Sequence, residues 1–220
     1  NNEPTPITGG AIIADHNAVE DFDIIPSCWI EEAKDKFVIG YGHTSHGSQI
    51  TTGLSMVKTQ HGSLYDYNDG GTNGALDYEE GDGYGEGWLD HDVGYGGWDV
   101  ETRDYLDGSD PGAGTEDHSD VNTIMWSWCG QVGSYTTYAG MSSHYLAFAE
   151  DIAEDYGINF IYMTGHLDGG GPTGSVYIAN NIIREHVNDI EGVLFDFADI
   201  ESYDPDGKYY PSGSDDCAWC

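Results

Sequence analysis

Four short stretches of the 220-residue chain are almost continuously apolar: "FVIGYG" (37–42), "VNTIMWSW" (121–128), "INFIYMTG" (158–165) and "VLFDFADI" (193–200). Runs of this length, rich in β-branched and aromatic residues, predict strands buried on both faces. Between them the period lengthens. "IPSCWIEEAKDK" (25–36) enters through Pro26 and Ser27, carries acids in its early turns and ends on lysines, the order a helix dipole favours. Helical patterns also start at 51–56 and run through "WDVETRDYL" (98–106), "MSSHYLAFAEDIAEDYG" (141–157) and "SVYIANNIIREHVNDIEG" (175–192). Buried strands alternating with helices predict a three-layer α/β/α fold with a mostly parallel central sheet. Residues 25–220 read as one such domain, with 1–24 as an N-terminal extension.

The stretch 62–87, "GSLYDYNDGGTNGALDYEEGDGYGEG", has no usable period. It predicts a Gly/Asp-rich surface excursion which, carried on to residue 97, forms an insertion within the domain. No internal repeat is visible.

Charge changes the picture most. The chain has 40 Asp and Glu against 6 Lys and Arg, a formal net charge of −34. Such a surface repels nucleic-acid phosphates and anionic headgroups, and its self-repulsion opposes the compact state. High salt or bound calcium would screen it. Asp66, Asp69, Asp77, Glu79, Glu80 and Asp82 are the available calcium ligands in the excursion, although no regular calcium loop is present. No run of about 20 apolar residues could span a membrane. The opening "NNEPTPITGG" lacks signal-peptide character and reads as a mature N-terminus or a short linker. Together with an even count of four cysteines this predicts an extracellular, disulfide-permissive setting. Cross-linking is the expected role of the cysteines, ahead of a redox or zinc role for "CAWC" (217–220).

In parallel sheets ligands bind beyond the carboxyl ends of the strands. The predicted strands exit into "GHTSH" (42–46), "SWCGQ" (127–131), "TGHLD" (164–168) and a stretch holding Asp199, Glu201, Tyr203 and Asp204. Four exits bearing histidine, serine, glutamine and carboxylates predict a pocket. Ser45 is the expected nucleophile, and Gly42 and Gly47 permit a sharp turn around it. His166, His43 and His46 are candidate bases, His166 being preferred. Asp168 or Asp199 would orient the base, and Gln131 or the Gly130 backbone would hold an oxyanion. His43 and His46 as a metal pair lack a third nearby ligand.

These residues carry a resemblance. A strand leading to a serine turn, a strand leading to a Gly-containing polar turn and a late carboxylate region resemble the SGNH (GDSL-type) hydrolases, whose fold is α/β/α and flavodoxin-like. The strings "IPSCWIEEAKDKFVIGYGHTSHGSQITTG", "HDVGYGGWDVETRDYL", "VNTIMWSWCGQ", "FIYMTGHLDG" and "VLFDFADIESYDPDG" are similar to a group of secreted bacterial proteins of that kind. The resemblance puts Ser45 at the nucleophile position, with Thr44 where an acid usually precedes it. Gly94 or Gly96 takes the place of the oxyanion glycine, and Gln131 or Ser127 replaces the asparagine of the third block. The D-x-x-H of the last block has no match. That motif lies beyond the chain, or His166 takes its role, or the site is not a serine hydrolase.

The implied function is an extracellular serine hydrolase of acyl or acetyl esters, acting on a small ester or a polysaccharide. Tyr41, Trp98, Trp126 and Trp128 would stack on sugar rings. No cofactor beyond calcium is expected. The alternative is a non-catalytic module on the same fold, binding carbohydrate or assembling with copies of itself into a surface layer or filament, with calcium stabilising either form.

Overall fold

The computed structural model describes residues 9–80, 89–108 and 118–215. Seven strands form one sheet in which every paired neighbour is parallel: β1 (Ile12–Ala14), β2 (Val38–Gly42), β3 (Tyr67–Asn68), β4 (Leu76–Glu80), β5 (Thr123–Trp126), β6 (Asn159–Met163) and β7 (Val193–Phe195). Their spatial order is β1-β7-β6-β5-β2-β4-β3. The helices are α1 (His16–Glu20), α2 (Ser27–Lys36), α3 (Ser48–His61), α4 (Trp98–Asp107), α5 (Tyr138–Met141), α6 (Ala147–Tyr156), α7 (Ser175–Asp189) and α8 (Phe197–Glu201). A π-turn over Ser142–Leu146 joins α5 to α6. Right-handed crossovers place α4, α6 and α7 on one face and α2 and α3 on the other. Contacts between α4 and α6 and between α5 and α7 agree with this. The fold is the expected three-layer α/β/α.

The chain runs from β2 out to edge strand β3, returns to β4, then crosses β2 to reach β5 and continues the other way through β6 and β7. The direction therefore reverses between β2 and β5. In open parallel sheets that reversal opens a crevice at the carboxyl edge. It falls between two of the exits singled out above, 42–46 and 127–131.

The core lies mainly under α4, α6 and α7. Trp98, Trp126, Tyr145, Ile152 and Ile183 are fully buried there, whereas α2 and α3 bury no residue completely. The rings expected to stack on sugars, Tyr41, Trp98, Trp126 and Trp128, all belong to this interior. Gly42 is needed for a close approach: a Cβ there would sit 2.3 Å from the Trp126 ring. Gly42→Ala is expected to destabilise the protein by about 1–3 kcal/mol through overpacking, read as a lowered denaturation midpoint at unchanged slope. Gly47 is similar, with φ −62° and no need of glycine's conformational range. A Cβ on it would meet the His43 side chain at 2.1 Å and Ser127 Oγ at 2.3 Å.

Three expectations change. The stretch 62–87 is not only a surface excursion, because β3 and β4 extend the sheet with Val38 paired to Asp77 and Tyr41 to Glu80. "LDYEE" reads as a loop because its acids have unusual partners: Asp77 accepts from the Gly70 amide at 2.9 Å, and Glu79 bonds Tyr105 and His118. The extension before residue 25 contributes β1, paired to β7. The last strand ends at Phe195, since Asp196 caps α8 through the Asp199 amide.

The calcium candidates are engaged within the protein. Asp66 pairs with Lys58, Asp77 and Glu79 bond as above, and Glu80 meets His43 at 3.1 Å. Oxygens of Asp69, Asp77 and Glu79 lie near one another, while Asp82 is outside the described residues. Among the described residues four lysines and arginines pair with acids: Lys36 with Glu32, Lys58 with Asp66, Arg103 with Asp155 and Arg184 with Asp196. Most of the 40 carboxylates therefore have no cationic side chain to meet them. The melting midpoint is expected to climb steadily from low to molar sodium chloride as repulsion is screened. A midpoint that stays flat over that range would show that the acidic surface costs no stability.

Candidate functional site

The loop after β2 sends its two histidines in different directions. His43 is buried against Tyr41, and its ring nitrogens face the Thr44 carbonyl at 2.9 Å and Glu80 at 3.1 Å. It holds the loop to β4. Thr44 donates to Asp92 at 2.8 Å, which ties the exit to the segment before α4. Ser45 is exposed, and its carbonyl accepts from the Ser48 hydroxyl at 2.8 Å. Among the described residues no hydrogen bond joins the Ser45 hydroxyl to a histidine.

His46, one turn further on, points into the crevice. Its Nδ1 lies 2.9 Å from Cys129 Sγ and its Nε2 lies 2.7 Å from an Asp215 carboxylate oxygen. Cys129 stands three residues beyond β5, at the start of a 3-10 turn over Gly130–Ser134. It is a free thiol; Cys28 is exposed, and Cys217 and Cys220, the rest of the expected disulfide framework, lie outside the described residues. His166, three residues beyond β6, stacks on His46 with ring centroids 4.1 Å apart. Its Nδ1 is 2.8 Å from the Leu167 carbonyl, and its Nε2 is buried with no hydrogen-bond partner among the described residues.

Adjacent strands β2, β5 and β6 thus each deliver one reactive side chain to one place. A carboxylate from near residue 215 closes it. The imidazole beside Asp215 holds its carboxyl below the usual range. The Glu201 carboxyl accepts from the Leu167 amide at 2.8 Å. Burial, with the charge of Asp215 adding to it, pushes Glu201 up to about 7, and both the Leu167 amide and His46 oppose the shift.

The other expected site residues do different work. The Gln131 amide donates to the Val93 carbonyl at 3.0 Å. Asp168 accepts from the Gly170 amide at 2.9 Å and shapes its own loop. Asp199 pairs with His16. Gly94 packs under Trp128, whose ring lies 2.4 Å from where its Cβ would be. Ser127 is buried at the foot of the crevice, with its Oγ unpartnered. Beside the cluster, past Leu167 and Asp168, lies a cavity of about 220 Å³ lined also by Tyr177, Asn180, Arg184 and Tyr209.

Sequence reasoning had His46 and His166 among its candidate bases but set Cys129 aside for cross-linking. The overlooked signal was its place: a cysteine followed by glycine at a buried strand's exit, where a nucleophile would stand. Asp215 gave no signal, being 169 residues from the ring it contacts. Comparisons with protein-family models, curated proteins and solved structures find no match.

Proposed function

We propose that this chain is an extracellular hydrolase of acyl or acetyl esters in which Cys129, rather than Ser45, is the nucleophile. One observation carries the reading: Cys129 Sγ, His46 and Asp215 form a continuous line of contacts at 2.9 and 2.7 Å in the switch-point crevice. A nucleophile within reach of a base, itself oriented by a third group, is the arrangement that covalent acyl transfer requires.

Asp215 accepts from His46 Nε2–H, which leaves the Nδ1 lone pair facing the thiol. His46 takes the thiol proton as sulfur attacks the acyl carbon, then gives that proton to the departing alcohol. A thioester is left on Cys129. Water attacks it, His46 takes a proton from the water, and the sulfur leaves and regains that proton from His46 as the carboxylic acid forms. His166, stacked on His46, keeps that ring in plane. The cavity beyond Leu167, smaller than the roughly 300–1,000 Å³ of drug-sized sites, suits a short acyl chain or one sugar ring. Burial of Tyr41, Trp98, Trp126 and Trp128 removes the sugar-stacking surface expected of the hydrolase, which favours a small acyl ester over a polysaccharide.

The test is hydrolysis of a panel of small acyl esters by chelator-treated protein. Turnover that Ser45→Ala retains and Cys129→Ala loses supports the reading. Turnover that follows Ser45 instead, or no turnover on the whole panel, overturns it.

A further inference from the structure

The cluster holds one feature that a thiol–imidazole–carboxylate line does not need. His166 is 6% exposed, and its Nε2 is buried without a partner among the described residues. Its Nδ1 faces the Leu167 carbonyl, so the proton sits on Nδ1 and the Nε2 lone pair is bare. A buried acceptor with nothing to accept from is destabilising, because its desolvation is not offset. That nitrogen lies 3.9 Å from where a Cβ on Gly130 would be, beside Cys129. His46 is set the same way: Nε2–H faces Asp215, and the Nδ1 lone pair faces the sulfur. Two imidazoles whose outer N–H groups are tied to a carbonyl and a carboxylate, with bare inner nitrogens, have the tautomers that metal ligands require.

One ligand atom each from His46, Cys129 and His166 fall within 4.8 Å of one another. Around tetrahedral zinc, bonds of about 2.0–2.1 Å to nitrogen and 2.3 Å to sulfur put ligand atoms roughly 3.3–3.6 Å apart. Because the His46 and His166 rings stack with planes 19° apart, they must tilt toward one another for both nitrogens to share the ion. Two imidazoles and a thiolate select a soft or borderline divalent ion over calcium or magnesium.

We infer that His46, Cys129 and His166 form a binding site for a zinc-class divalent cation, and that occupancy withholds Cys129 from substrate. The second half rests on the reading of Cys129 as nucleophile; the first does not. Binding exchanges the thiol proton for the metal: Zn²⁺ and Cys–SH give Zn–S–Cys and one H⁺, with no change of oxidation state. The fourth position is open to water.

Cobalt(II), which replaces zinc in such sites, serves as the probe. Chelator-stripped full-length protein is titrated with Co²⁺ in molar salt and excess calcium, which occupy the surface carboxylates. One equivalent giving a thiolate-to-cobalt charge-transfer band and tetrahedral visible bands, with zinc displacing both, is expected. The band should vanish in Cys129→Ser, where Cys28, Cys217 and Cys220 remain as internal controls. His166→Ala should weaken binding at least about 100-fold, beyond what an outer-shell change costs. No band in the wild-type protein, or a band unchanged in Cys129→Ser, overturns the site; the first of these needs no variant. Ester turnover that persists at one bound zinc overturns the inhibitory half. If no ester is turned over in any form, the functional reading fails while the cobalt spectrum still decides the metal.

Discussion

Cys129→Ala is expected to reduce ester turnover to background, and His46→Ala to reduce it by about 10²–10⁴-fold, the contribution of a positioned base. The two effects should not add. Each removes one end of the same proton transfer, so a double variant is expected to lose little beyond the more damaging single change. Cys129 is half-buried and outside the hydrophobic core, so replacing it should hardly move the melting midpoint. Asp215→Asn is the milder case. It keeps a hydrogen-bond partner for His46 but removes the charge that favours imidazolium, and should leave activity between wild type and His46→Ala. Steady-state kinetics on chelator-treated protein, with midpoints measured in parallel, check all three. A large fall in midpoint for Cys129→Ala would mean that the thiol is a packing group.

Replacing Arg184 by methionine is expected to cost about 3–5 kcal/mol, the usual penalty for stranding one partner of a buried ion pair. Asp196 is 4% exposed and is gripped by the Arg184 fork, Nε to one oxygen at 2.6 Å and a terminal nitrogen to the other at 2.7 Å. It also accepts from the Thr164 hydroxyl at 2.9 Å. These bonds clamp α7 to the end of β7 and to the exit of β6, two residues before His166. At roughly 2–4 °C per kcal/mol for a protein of this size, the midpoint should fall by about 10 °C. Arg184→Lys should lose less, keeping the charge but not the fork. Adding Asp196→Asn to Arg184→Met should recover part of the loss, because no charge is then left buried. A fall of only a degree or two for Arg184→Met would mean that the pair behaves like an exposed one.

The parts of the fold that were legible in the sequence are those whose side chains follow one rule throughout. β2, β5 and β6 are buried on both faces and so read as apolar runs. α7 buries Val176, Ala179, Asn180, Ile183 and Val187 along one stripe, and so reads as a helix. β4 was illegible because its acids are satisfied by tyrosine, histidine and backbone amides that arrive from elsewhere in the chain, and "LDYEE" alone cannot announce them. β1 was too short to stand out.

The site was legible as a place but not as a mechanism. Its location follows from strand exits, which sequence shows. Its chemistry depends on rotations within one loop: His43 turns to β4, Ser45 to solvent and His46 to the crevice, three outcomes within four residues. It depends too on a carboxylate far along the chain. Counting cysteines also misled, since an even number suggests pairing, whereas Cys129 is unpaired and faces an imidazole.

On the proposed mechanism, acyl groups pass through the sulfur of Cys129. The most direct measurement is an acid quench of chelator-treated protein during turnover of a slow acyl ester, followed by mass spectrometry of the intact chain and its peptides. An added mass of one acyl group on the peptide holding Cys129, labile to neutral hydroxylamine as a thioester is, is the predicted result. The same mass on the peptide holding Ser45, or turnover with no acylated protein, would contradict the account.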